Sequence, residues 1–278
     1  VELDALKASA KGQLLEVEGA ASGRVRVEDV LVGEVWMASG QSNMQWALSS
    51  TARAKEDIPA ANHPGIRMFL TDLVTAASPQ SRVGGAWNVT TPQNAGKFSA
   101  VGYYFALNLH AEVGVPVGIV RTAWGGKPSE AFTSRETLMS KPEGRALLQK
   151  LEAEVKRFDL GKAEAEYEKK LAAWEKARKA NRAEKEPAKR KKLPRKPRKP
   201  SPPALSPNRP MSIYNGMIHP WVGYAMRGAI WYQGESNAGR AKEYETIFPL
   251  LILDWRKRWE KELPFYFVQL ANFRMPTS

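Results

Sequence analysis

The sequence holds no cysteine, so a disulfide framework, a thiolate zinc site and a cysteine nucleophile are all excluded. Histidine is scarce too: His63, His110 and His219 are the full set. No run of about 18 apolar residues occurs, which excludes a membrane-spanning helix by length. The chain opens at Val1 with no signal-peptide pattern. That reads as a fragment or a processed chain. What is present is a folding composition. Of 278 residues, 43% are hydrophobic and nine are tryptophan, enough for a buried core and against disorder of the whole chain.

The net charge of +13 invites a nucleic-acid reading, but its location answers most of that. Residues 141–210 carry 22 basic and 10 acidic side chains, and the other 208 residues carry 20 and 19. The basicity belongs to one segment. Within it, Glu152–Glu186 is rich in Ala, Glu, Lys and Leu and reads as a helix or helical hairpin, with Gly161 a possible joint. Lys189–Pro210 is Lys/Arg/Pro-rich and reads as extended and mobile. The plainest reading is a solvated surface insertion; the sharper one is a docking segment for an anionic polymer. No aromatic residue interleaves with the Lys/Pro tract, which disfavours nucleic acid.

Elsewhere strands alternate with helices. Residues 1–29 alternate weakly between glycines and read as the end of a β module. Val30–Ser39 is a dense apolar run fit for one strand buried on both faces. Ile66–Leu70, Val117–Val120, Gly228–Tyr232 and Phe265–Leu270 read as further strands. A helix is expected over Ser99–Val113, with Val101, Phe105, Leu109 and Val113 on one face, Ser99 as N-cap and Gly114 as stop. Another is expected over about Ala241–Trp259. This order predicts βαβ units and a parallel sheet, with ligands outside the carboxyl ends of the strands.

Three strand ends carry polar or glycine-rich turns. Ser42 follows the first, where a hydroxyl beside its own N–H suits acyl transfer, although a serine in such a turn also serves as a cap. Gly125-Gly126 follows the second, where an N–H approaches an oxyanion without steric conflict, or the pair simply makes a turn. Gly234-Glu235-Ser236-Asn237 follows the third. Asn237 offers an amide donor or a helix cap, and Glu235 a carboxylate to orient a histidine or bind hydroxyls. Trp36, Trp46, Trp124 and Trp231 lie near these ends and read either as sugar-stacking platforms or as core.

In combination, GEVWMASGQSNMQW (Gly33–Trp46), VPVGIVRTAWGGKPSEAFTS (Val115–Ser134), YNGMIHP (Tyr214–Pro220), GAIWYQGESNA (Gly228–Ala238) and FPLLILDWRKRW (Phe248–Trp259) resemble the sialate O-acetylesterase family of the SGNH hydrolases. The resemblance covers Val30–Ser134 and Tyr214–Asn272. It implies a flavodoxin-like three-layer α/β/α fold over residues 30–140 and 211–278, with 1–29 the remnant of an N-terminal β module and 141–210 a basic helical and Pro-rich insertion. It implies a serine esterase that hydrolyses acetyl esters on an O-acetylated carbohydrate without metal or cofactor. Ser42 matches the nucleophile and Glu235 a possible triad acid. The Ser42 and Gly126 N–H groups and the Asn237 amide match the oxyanion donors, and Gln41, Asn43, Gly125 and Gln233 would line the substrate pocket. The family's Asp-x-x-His block occurs nowhere in the sequence, so the catalytic histidine is expected beyond residue 278. Export to the periplasm or outside is the expectation for compartment. Two other classes stand beside the esterase: a non-catalytic carbohydrate-binding protein on the same fold, and an anionic-polymer binder acting through the insertion.

Overall fold

A computed structural model describes residues 4–19, 23–183 and 193–271. Expectations that fall on 1–3, 184–192 and 272–278, including the end of the long insertion helix and part of the Lys/Pro tract, lie outside the described residues.

The chain enters as an antiparallel hairpin of β1 (Ser9–Gly19) and β2 (Gly23–Val32). The apolar run from Val30 is therefore not one strand. It divides at Gly33, where a Cβ would sit 2.0 Å from the Pro116 carbonyl oxygen, and the chain leaves the hairpin for β3 (Glu34–Gly40). β4 (His63–Thr71), β6 (Val117–Arg121), β7 (Gly228–Tyr232) and β8 (Phe265–Phe267) fall on the expected apolar runs, β8 being shorter than expected. β5 (Gly85–Thr90) was not expected; it pairs antiparallel with β4. The sheet order is β5-β4-β6-β3-β7-β8, parallel except at the β5 edge. The result is a mixed α/β fold with a mostly parallel central sheet between helices.

Alternation along the strands assigns the two faces. Trp36, Ala38, Ile119 and Ile230 point into one core with Met44, Met68 and Tyr103. Met37, Val120, Ala229 and Trp231 point into the other with Phe132, Tyr214 and Trp255. The first face is covered by α1 (Ser42–Gln45), α2 (Ala54–Ala60) and α3 (Ala100–Val113), and the second largely by α7 (Ala241–Arg258). Ser99 caps α3 by accepting from the Gly102 N–H at 3.0 Å, and Gly114 ends it with φ +66°. The most deeply buried positions of α3 lie beside the face read from spacing. Ala100, Gly102, Tyr103 and Ala106 face the sheet, and Val113 is exposed. Val101, Phe105 and Leu109 are half-buried and flank this face, packed against the same core, while Gly102 allows the close approach to Ile119 and Met68.

After α4 (Arg135–Met139), the insertion begins as expected with helices, α5 (Pro142–Arg157) and α6 (Leu160–Ala183), but the joint lies at Phe158-Asp159, ahead of Gly161. Leu138 and Leu148 pack against Ile247 and Leu250 of α7, which anchors the start of the insertion. Among the described residues no helix is long and apolar enough to cross a membrane.

His63 lies at the amino end of β4 beside the Tyr103 ring. His110 is half-buried, with Nδ1 2.7 Å from the Val115 carbonyl oxygen. Burial, and next the neighbouring His110, push the His63 imidazole below its ordinary value of 6.5. The folded state therefore holds the proton less well than the unfolded chain. Stability is full above about pH 6.5 and falls as pH drops through the folded value. The variant His63→Gln is expected to shrink the loss of Tm between about pH 7 and pH 5, read by thermal melts at both.

Candidate active site

Gly40 ends β3 with φ +129°, and a Cβ there would lie 2.2 Å from the Tyr232 carbonyl oxygen. Only glycine fits, and the chain turns sharply into Gln41 and Ser42. The Gln41 N–H donates to the Tyr232 carbonyl at 2.9 Å, binding this turn to the end of β7. Ser42 then opens α1 with an exposed side chain.

The second turn is stitched to the first. The Thr122 N–H donates to Ala38 O and the Trp124 N–H to Gly40 O. The Gly125 N–H donates to Gln45 Oε1 at 2.7 Å, and a Cβ on Gly125 would meet the Ser42 Cβ at 3.6 Å. Gly125 therefore lies alongside Ser42, with room for little more than a methyl group between them. Because Gln45 takes the Gly125 N–H, the next amide, Gly126, is the one without a hydrogen bond among the described residues. Gly126 is exposed with φ +69° and open space around its Cα.

The third turn joins both. Asn43 Nδ2 donates to Glu235 Oε1 at 2.7 Å, and the Ser236 N–H donates to Gln41 Oε1 at 3.1 Å. Gln233 Nε2 donates to the Lys127 carbonyl at 3.2 Å and to Asn237 Oδ1 at 2.6 Å. Three loops distant in sequence thus form one hydrogen-bonded cluster around Ser42. Beside it, Asn43, Glu235, Tyr244, Phe248 and Leu270 line a cleft of about 900 Å³. Burial raises the Tyr244 hydroxyl to about 12, so it stays protonated as a donor to Gln233 Oε1 at 3.1 Å.

Several residues are placed differently from the sequence reading. Asn237 is buried, and its Nδ2 donates to Glu130 Oε2 at 2.9 Å while its Oδ1 accepts from the Ser129 N–H and Gln233. In this arrangement its amide donor is aimed at Glu130 and not at an oxyanion. Gln41 and Gln233 are also buried, with their side chains bonded to neighbouring loops; Gln233 still contributes to the lining of the cleft, whereas Gln41 braces it from behind. The Gly125 N–H is spent on Gln45. Trp36 and Trp231 are core residues, Trp124 is half-buried, and Trp46 is 51% exposed.

Sequence reasoning missed Glu130 and Gln45. Glu130, on the 3-10 turn Ser129–Phe132, is buried and bonded to Asn237 and Arg240. Burial opposes the Arg240 charge, but the pairs with Glu130 and Glu243 outweigh it and hold the guanidinium above its ordinary value. A lone acidic residue after a glycine turn carries no periodic signal, and neither does Gln45.

No histidine among the described residues hydrogen-bonds to Ser42. His63 and His110 sit near the amino ends of β4 and β6, and Ser42 follows the carboxyl end of β3. His219 lines a separate cavity of about 720 Å³ with Ser134 and Arg258, its Nδ1 2.9 Å from the Gln80 carbonyl oxygen.

Gln45 sets the glycine turn through one acceptor. Gln45→Met, which removes it, is expected to cost about 1 kcal/mol in urea unfolding, whereas Gln45→Glu, which keeps an oxygen, costs less.

The fold and these loops define a class, an α/β protein with a serine-centred cluster at the carboxyl ends of its parallel strands. Comparison with known proteins narrows it. Residues 207–278 match the family model described as carbohydrate esterase, sialic acid-specific acetylesterase. The chain is 29% identical to the sialate O-acetylesterase of Rattus norvegicus over 273 residues, covering 91% of this chain and 46% of that protein. It is 27% identical to the one of Homo sapiens, covering 89% and 41%. A solved carbohydrate acetylesterase from Xanthomonas citri superposes with a TM-score of 0.65 at 32% identity, covering 93% of this chain and 46% of that one. In sequence the chain is similar to sialate O-acetylesterases, as the motif resemblance implied, and in fold it is similar to a carbohydrate acetylesterase. It spans about half the length of the curated relatives it matches.

Proposed function

We propose that the protein is a carbohydrate O-acetylesterase that works through an acetyl-serine at Ser42. The observation that carries this reading is the exposed Ser42 hydroxyl next to the glycine turn, in one cluster with Glu235. The Ser42 oxygen attacks the acetyl carbonyl and gives its proton to a general base. A C–O bond forms to serine, the bond from the acetyl carbon to the sugar oxygen breaks, and that oxygen takes the proton as the sugar leaves. Water then hydrolyses the acetyl-serine. The N–H groups of Ser42 and Gly126 supply the oxyanion donors, each worth about 2.7–4 kcal/mol in the barrier. Asn237 joins them only if its amide leaves Glu130. Glu235, fixed by Asn43, is placed to orient an imidazole. Trp46, exposed just after the short helix that Ser42 opens, offers a face to a sugar ring.

The base is the element that the described residues do not set beside Ser42. The test is therefore acetate release from an O-acetylated sugar by this chain, with and without added imidazole. Release that depends on Ser42 supports the reading. Binding of the sugar without any Ser42-dependent release, with imidazole present, overturns it in favour of a carbohydrate-binding protein.

A further inference from the structure

The insertion returns to the site as an arm of unusual charge. From Pro187 to Pro210 the sequence contains no acidic residue. In its described part, Arg195, Lys196, Arg198 and Lys199 are all exposed, while Leu193, Pro197 and Pro200 are half-buried against the protein. None of these four cations has an ion-pair partner among the described residues. Pro194, Pro197 and Pro200 fix φ and remove backbone donors, so the arm is stiffened by composition and not by a sheet or helix. It is pinned at both ends. Trp174 Nε1 of α6 donates to the Pro194 carbonyl at 2.9 Å, and Thr75 Oγ1 donates to the Leu205 carbonyl at 2.6 Å.

The arm meets the catalytic loops at Lys127, the residue after Gly126. Lys127 Nζ donates to Asn208 Oδ1 at 3.1 Å and lies 5.8 Å from the Trp124 ring centre. Burial, with Arg198 nearby, holds its ammonium below the ordinary value. Unpaired like charges held together repel, and that cost persists in the fold unless a polyanion offsets it.

We propose that residues 193–200 and Lys127 form an anion-binding rim that docks a carboxylate-bearing polysaccharide and presents its acetyl esters to Ser42. The inference rests on the esterase reading above and extends it to a substrate class. Arg195 and Arg198 present planar forks that fit carboxylates, and the lysines add point charges. A nucleic acid is disfavoured because the Trp124 ring beside Lys127 is half-buried, and Trp174, the ring against residues 193–200, already carries Arg178 at 5.0 Å and Lys196 at 5.7 Å. Its ring is taken by cations, leaving no platform for stacked bases.

The experiment is fluorescence anisotropy on the full chain with three labelled probes: polygalacturonate free of acetyl groups, neutral dextran, and a single-stranded oligonucleotide of matched charge. Polygalacturonate is expected to bind, to weaken with salt, and to outcompete the oligonucleotide; dextran is not expected to bind. Combining Arg195→Gln, Lys196→Gln, Arg198→Gln and Lys199→Gln should weaken binding by about tenfold or more at low salt with no fall in Tm, since all four side chains are exposed and their mutual repulsion is relieved. Ser42→Ala should bind as the parent does. Because this probe has no ester, docking is read apart from turnover. Ser42-dependent acetate release without polygalacturonate binding sinks the rim alone, and binding without release sinks the esterase alone. Tighter binding of the oligonucleotide, or a fourfold variant that binds undiminished, overturns the proposal.

Discussion

Ser42→Ala is expected to erase the whole imidazole-dependent part of acetate release, while leaving the much smaller base-free rate nearly unchanged. The asymmetry follows from how a nucleophile and its base act as a unit. Where either is missing, the other contributes little, and where both are present the pair is worth up to about 10⁶ in kcat in serine hydrolases. Ser42 without a base is an ordinary hydroxyl. On the proposed reading the cluster retains a site for the acetyl group and two amide donors, which by themselves account for about 10³–10⁴ over water in serine hydrolases. The measurement is initial rates of acetate release against imidazole concentration for parent and variant. Equal slopes for the two would remove Ser42 from the chemistry.

Asp254→Ala is expected to be the most damaging single change to stability. Asp254 is fully buried on α7, and its carboxylate accepts from the Ser134 N–H, the Ser134 hydroxyl and the Thr137 hydroxyl, each at 2.7 Å. Arg258, one turn later, lies 3.4 Å away and also bonds Glu136 and Ser134. Removing the carboxylate strands two buried Ser134 donors, the half-buried Thr137 hydroxyl and one side of the Arg258 cation. Breaking such a buried arrangement costs about 3–5 kcal/mol, less whatever Glu136 recovers by holding Arg258. Spread over a chain of this size, that is a fall in Tm of about 10 °C, to be read by calorimetry. A loss under about 1 kcal/mol would show that the carboxylate is dispensable to the packing of α4 on α7.

The parallel strands were legible because each is a short apolar run ended by glycine or polar residues, and periodicity reports burial on both faces. β5 was not, since Gly85–Thr90 is half-exposed on an edge and its residues lack that signature. The split at Gly33 was hidden for a different reason. It is imposed by the Pro116 carbonyl, which belongs to another part of the chain. The candidate site divides in the same way. Ser42, Gly126 and Glu235 sit at strand ends, where order along the chain foretells position. The work of Gln45 and Glu130 and the commitment of the Asn237 amide are decided by which loop each side chain meets, and nothing local in the sequence encodes that.

The turn at Gly40 has a consequence for how the serine loop tolerates change. An L-amino acid is shut out of that position twice, by handedness at φ +129° and by the Tyr232 carbonyl where its first carbon would stand. Gly126 shares the handedness but has empty space around it. The hydroxyl is thus located by exclusion, a constraint that no neighbouring substitution can relax, whereas the facing amide is located by tethers that can be retied. Divergence among chains of this kind has room to reshape the glycine loop and almost none to move the serine.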